Sequence, residues 1–222
     1  MTPNTCPFEP FRLRNCALVV QSAGHRAQTL KELRDGLIQV PPSSLHYHFW
    51  GQLLRPRPDP DHYNDFAAWV ARDVGDLETA ERLDALNPSL FPNLESLREA
   101  LLTVLEERLS RGDFLSWAKS RSDFFFVKAQ MLVFDTGLEA ETPEELGDQL
   151  SLSPSGCVFY HFVDALRRTP DGRDDFTFWL SGFGIPEDRL RPLTLLDPYL
   201  FSLRELRDRL ATYIRDLGRD RS

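Results

Sequence analysis

The stretch Pro41-Pro42-Ser43-Ser44-Leu45-His46-Tyr47-His48-Phe49 decides how this chain is read, because it returns as Pro154-Ser155-Gly156-Cys157-Val158-Phe159-Tyr160-His161-Phe162. Working outward, Phe11 to Phe49 lines up with Phe124 to Phe162 without a gap, at an offset of 113, and 13 of those 39 positions are identical. Gly24/Gly137, Glu32/Glu145 and Leu33/Leu146 are among them. Further on, Asp65-Phe66 and Trp69 return as Asp175-Phe176 and Trp179, then Leu86, Pro88 and Leu97-Arg98 as Leu196, Pro198 and Leu206-Arg207. A period this long exceeds the roughly 20–50 residues of a solenoid repeat, so it reads as a duplicated half-domain or domain. The expected layout is a tail at 1–10, repeat one at 11–109, a linker at 110–123, repeat two at 124–218 and a tail at 219–222.

Each repeat begins with a β-branched and aromatic run (Phe11 to Gln21, Phe124 to Asp135) that ends at Gly24 or Gly137. That pattern predicts a strand closed by a tight turn or hairpin. Thr29 and Thr142 follow, each with a glutamate three residues on, a capping box that starts a helix stopping before Pro41 or Pro154. The next helix starts near Ser43-Ser44 or Ser155-Gly156 and puts His48 and Phe49, or His161 and Phe162, on an apolar face. A Pro- and charge-rich loop follows, Arg55 to Tyr63 in the first repeat, where Pro56, Pro58 and Pro60 deny regular structure. Asn64-Asp65 and Asp174-Asp175 then open a helix with Phe66 and Trp69, or Phe176 and Trp179, facing inward. A short helix and a long Leu-rich helix close each repeat. The expected fold is α+β, mostly α: two homologous halves, each a strand or hairpin followed by about four to five helices, packed about a pseudo-twofold axis. In the linker, Trp117 is expected to cover the seam between the halves, with a partner-facing tryptophan as the alternative.

The bulk properties narrow the function. The chain of 222 residues is 41% hydrophobic with a mean hydropathy of −0.36, and its sixteen Phe and four Trp supply core material. A net charge of −8 and arginines scattered among acids argue against nucleic acid as a partner. Leu18-Val19-Val20 is too short an apolar run to cross a membrane. The start lacks a cationic segment followed by an apolar one, and Cys6, Cys16 and Cys157 have no metal-site spacing, so a reducing, cytoplasmic location is expected.

His48 and His161 lie on apolar faces and need buried hydrogen-bond partners, for which Asp65 and Asp175 are the candidates. One carboxylate could cap its own helix and accept from the imidazole, tying two helices together. The rival is a ligand pocket lined by Tyr47, His48, Asp65 and Trp69, and by Tyr160, His161, Asp175 and Trp179. Ser44-His48 and Cys157-His161 are i, i+4 pairs of the kind that activates a nucleophile, although Ser44 reads more simply as an N-cap. His46, His48, Asp59, Asp61 and His62 offer metal-ligand chemistry, but His46 and His48 project to different sides of a helix and the second repeat lacks the set. Gly182-Phe183-Gly184 follows a helix and makes no phosphate loop. No cofactor and no catalytic residue is expected.

The order strand, Gly turn, Leu30-Lys31-Glu32-Leu33, Pro41 to Phe49, Asn64 to Trp69 and Leu86 to Pro88 resembles an uncharacterised prokaryotic domain of unknown function, of the family 5752 type, often present as two tandem copies. The resemblance runs from Phe11 to about Leu217 and implies a fold but no activity. The second copy departs from the pattern at Gly156, Cys157 and Asp174. On the residues themselves, the expected function is a non-enzymatic binding or adaptor module. A small-ligand-binding protein or minor enzyme using His48 and His161 is the alternative, so the partner is either a protein or a small ligand.

Overall fold

The computed structural model describes residues 9–54, 61–112, 114–169 and 172–219, with Leu115 and Ser116 by backbone alone. Strand β1 (Phe11–Ala27) is followed by α1 (Leu30–Gln39), α2 (Pro42–Trp50), α3 (Asp65–Trp69), α4 (Leu77–Asp84), α5 (Leu94–Ser110) and the short α6 (Phe114–Trp117). Strand β2 (Phe124–Ala140) leads into α7 (Pro143–Leu152), α8 (Ser155–Val158), α9 (Ala165–Arg168), α10 (Asp175–Ser181), α11 (Glu187–Thr194) and α12 (Leu203–Arg219). Val70–Val74 continues α3 as a π-helical turn, and Phe159–Asp164 joins α8 to α9 in the same way. The mostly helical α+β expectation therefore holds.

β1 and β2 pair as a two-stranded antiparallel sheet, with Arg12 bridged to Glu139 and Arg26 to Asp123. The chain divides into two compact units, and the division falls inside both strands. One unit is Leu18–Gln130; the other joins Met131–Ser222 to the N-terminal stretch through Ala17.

In the unit Leu18–Gln130, Thr29 caps α1 by accepting from the Glu32 amide at 3.1 Å. Glu32 reaches back to the Gln28 amide at 2.6 Å, one residue ahead of the usual capping-box donor. The spacing Leu30, Leu33, Leu37 then turns one face of α1 into a core shared with Phe49, Phe66, Leu83, Leu101 and Phe126. Gly36 lets Phe126 of β2 reach that core, since a Cβ there would lie 2.3 Å from the Phe126 ring. Arg108 of α5 is buried against Asp76, which also caps α4, so the charge it carries inward is compensated. In the other unit, Thr142 caps α7 and Glu145 reaches the Glu141 amide at 2.8 Å. Leu13, Leu146, Phe159, Phe176, Leu206 and Ile214 are buried there.

Four expectations need correction. Neither strand ends at its glycine: Gly24 and Gly137 take φ of +81° and +73° inside continuous 17-residue strands, so each strand passes through a left-handed residue instead of closing a hairpin. Ser44 is not an N-cap, because Pro41 occupies that position and the Ser44 hydroxyl donates to the Val127 carbonyl at 2.8 Å. The caps of α3 and α10 are Asn64 and Asp174, which accept from the Ala67 and Thr177 amides, so Asp65 and Asp175 do not cap their own helices. Trp117 is 68% exposed, too open for the buried seam residue expected, and Phe114 one turn before it is 83% exposed. Of the loop expected at Arg55 to Tyr63, residues 55–60, Asp59 among them, lie outside the described residues, as does Cys6.

Candidate functional site

His48 is placed by α2, whose sequence puts Leu45, His48 and Phe49 on the buried side. Its Nδ1 lies 2.7 Å from Asp65 Oδ2 at the start of α3, and its Nε2 accepts from the Val127 amide of β2 at 3.1 Å. A backbone amide can only donate, so Nε2 carries the lone pair and Nδ1 the proton, which it donates to the carboxylate. His161 in the other unit has the same arrangement. Nδ1 is 2.8 Å from Asp175 Oδ2, and Nε2 accepts from the Arg14 amide of β1 at 2.8 Å. Both imidazoles are thus neutral, buried and saturated, with no lone pair or proton left over.

The aromatic surroundings match as well. Phe124 sits 4.9 Å from His48 and 5.3 Å from Phe66; Phe11 sits 4.9 Å from His161 and 5.3 Å from Phe176. Trp69 donates its indole N–H to the Ser122 carbonyl at 2.8 Å, and Trp179 donates to the Glu9 carbonyl at 3.1 Å. Tyr47 and Tyr160 pack edge-on to the following histidine. The eight residues singled out from the sequence therefore gather into two clusters, one per unit. Each cluster grips the strand that begins the opposite sequence half: α2 and α3 hold β2 at Phe124 and Val127, while Phe159–Asp164 and α10 hold β1 at Phe11 and Arg14.

Arg168 of α9 is the residue that sequence reasoning missed. Its guanidinium donates to Asp175 Oδ2 at 2.9 Å, to Asp164 at 3.0 Å and to the Tyr160 carbonyl at 3.0 Å, and it lies 4.1 Å over the Tyr160 ring. Its spacing seven residues after His161, on the same helical face, was the available signal. Burial holds the His161 pKa below its ordinary value of 6.5, against the opposing pull of Asp175. Burial also raises the Asp174 carboxyl.

The nucleophile reading fails on the same ground. Burial pushes the Cys157 thiol up, and burial together with Asp164 and Cys157 pushes Cys16 to about 12, so neither is poised as a thiolate. Cys16 donates instead to the Gly156 carbonyl at 3.3 Å. Of the metal set, His48 is consumed as above, His62 Nδ1 lies 2.8 Å from Asp84, and His46 stacks on Trp50. Among the described residues no group of three or more His, Cys, Asp or Glu is placed to hold a metal. Among them, too, no helix is long and apolar enough to cross a membrane.

A two-stranded sheet carrying helical clusters, each closed by a His–Asp pair on a strand amide, defines a mostly helical α+β class. Residues 8–215 match the Family of unknown function (DUF5752), and the chain belongs to that family. Among solved structures it is similar to OrfY from Thermoproteus tenax, at 28% identity and a TM-score of 0.80, over 97% of this chain and 98% of that one. No curated protein matches the chain.

Proposed function

We propose that this chain is a non-enzymatic, cytoplasmic binding or adaptor module built by internal duplication, in which the two histidine clusters are architectural. The observation that carries the reading is the saturation of both imidazoles: Asp65 and Val127 consume His48, and Asp175 and Arg14 consume His161. A general base or a metal ligand needs a ring nitrogen that a substrate or ion can reach. Here, reaching Nε2 would break its bond from a strand amide, and reaching Nδ1 its bond to the carboxylate. The alternative, a small ligand bound by Tyr47, His48, Asp65, Trp69 and their second-half counterparts, has less support, because the same contacts fill those positions with Phe124 and Phe11.

Exposed Phe114 and Trp117, one helical turn apart on α6, support a surface that meets a protein. Buried Cys16 and Cys157, neither in a disulfide, support a reducing compartment. The test is chemical crosslinking of the full chain in lysate of its native host, followed by mass spectrometry. A stoichiometric protein partner is expected. Recovery of no protein, together with a small molecule that co-purifies and is lost in His48→Gln, would overturn the reading.

A further inference from the structure

Helices α11 and α12 border a groove of about 600 Å³. Over the buried Leu193, its apolar lining comes from Leu196 and the ring of Tyr213, whose hydroxyl is anchored by donating to the Arg189 carbonyl at 2.8 Å. Its charged lining is three carboxylates, Glu205, Asp208 and Asp216, against Arg209, whose guanidinium is already stacked 4.3 Å over Phe201. Glu205 accepts from Ser202 at the start of α12, and Asp208 accepts from Arg207 at 2.8 Å. The Asp216 carboxylate has neither a hydrogen bond nor an ion pair among the described residues.

The first sequence half shows what fills the corresponding place. Helices α4 and α11 are both 8 residues long, and α5 and α12 are both 17. In that register Arg82 corresponds to Pro192 and Glu107 to Asp216. Arg82 donates across from α4 to Glu107 on α5. Pro192 removes that guanidinium, and its ring nitrogen has no hydrogen to donate within α11. The carboxylate remains beside the groove, with no ion pair among the described residues.

We infer that this groove docks an arginine-bearing amphipathic segment of a partner protein, with the guanidinium on Asp216 in the place Arg82 fills on Glu107. The arginine stem and neighbouring apolar side chains cover Leu196 and Tyr213. Arginine suits the site because its planar fork pairs with a carboxylate while its stem lies on apolar surface. The inference rests on the binding-module reading and names the chemistry of the partner.

The probe is a dye-labelled amphipathic peptide of leucine, alanine and arginine, titrated with the full chain by fluorescence anisotropy. A second peptide carries citrulline, which keeps the shape of arginine without its charge. Saturable binding of the arginine peptide is expected. Citrulline, or Asp216→Asn, should weaken it about fivefold, the scale of an exposed ion pair. Pro192→Arg, which supplies the guanidinium from within, should weaken it by about tenfold or more by filling the site. Both substituted positions are exposed, so the variants should melt as the parent does. Absence of saturable binding, or equal affinity for parent, Asp216→Asn and Pro192→Arg, would overturn the inference. Crosslinking in host lysate separates the two levels. A partner captured equally by parent and Pro192→Arg leaves the binding module standing without this groove, whereas no partner for either removes the module itself.

Discussion

Replacing His48 by alanine strikes two bonds and a packed ring at once. The ring is 2% exposed and touches Phe66, Phe124 and Phe126, so its removal leaves a void among aromatics that cannot easily collapse. The Val127 amide loses its acceptor where β2 is held, at about 1–3 kcal/mol for a buried donor left unpaired. Asp65 is 23% exposed and can recover water, so its loss is the smaller part. Together these point to a destabilisation of about 2–4 kcal/mol for His48→Ala. Asp65→Ala alone should cost less, and the double variant less than the sum of the singles, because both remove the same bond. Urea melts of the three variants measure this, and hydrogen exchange gives a local readout: the Val127 amide should lose protection in His48→Ala. A His48→Ala protein as stable as the parent, or strict additivity with Asp65→Ala, would refute the architectural role.

Burial lowers the His161 pKa, so above about pH 6.5 its neutral ring contributes stability. As pH falls below that value the unfolded chain takes up a proton the folded chain refuses, and stability drops by up to about 1.4 kcal/mol per pH unit. Urea melts between pH 7.5 and 5 should show a shallower fall for His161→Gln, and equal slopes would count against the assignment. Gly24→Ala and Gly137→Ala should each cost about 1–2 kcal/mol, because the added methyl meets no neighbour within 4 Å and the whole penalty is the left-handed backbone. Thermal melts equal to the parent would show that the strand relaxes there. Cys16 and Cys157 should resist iodoacetamide at pH 8 in the folded protein and react in urea, as read by peptide mass spectrometry; rapid labelling of Cys16 in the native state contradicts its raised pKa.

Local chemistry was legible in the sequence and long-range partnership was not. Thr29 with Glu32, and Thr142 with Glu145, announce helix starts because the bonds lie within one turn of chain. The His48–Asp65 and His161–Asp175 pairs could be read because an apolar helical face carrying a histidine demands a partner, and the next helix began with one. Asp65 and Asp175 were read as possible caps in place of Asn64 and Asp174 because two polar residues in a row both suit an N-cap, and only the fold decides which takes it. Gly24 and Gly137 misled because a positive φ ends a hairpin strand as readily as it kinks a continuous one. The second bond of each imidazole, accepted at Nε2 from a strand amide, lay beyond reach, since backbone amides leave no mark in the sequence of side chains.

The crossed grip on the strands also sets an order of events during synthesis. The cluster around His48 needs Val127, 79 residues ahead of it, so the first helices wait for β2 before they can close. The beginning of β1 waits far longer: Arg14 meets His161 across 147 residues, and Glu9 meets Trp179 across 170. Strand β1 therefore leaves the ribosome well before the residues that seat its beginning, with Phe11 and Leu13 uncovered in the meantime. Closing loops of that length before any contact rewards them slows folding and lengthens the exposure of an unpaired apolar strand. A released chain cut before residue 161 would keep Val127 for its first helical cluster and lack the histidine that seats Arg14.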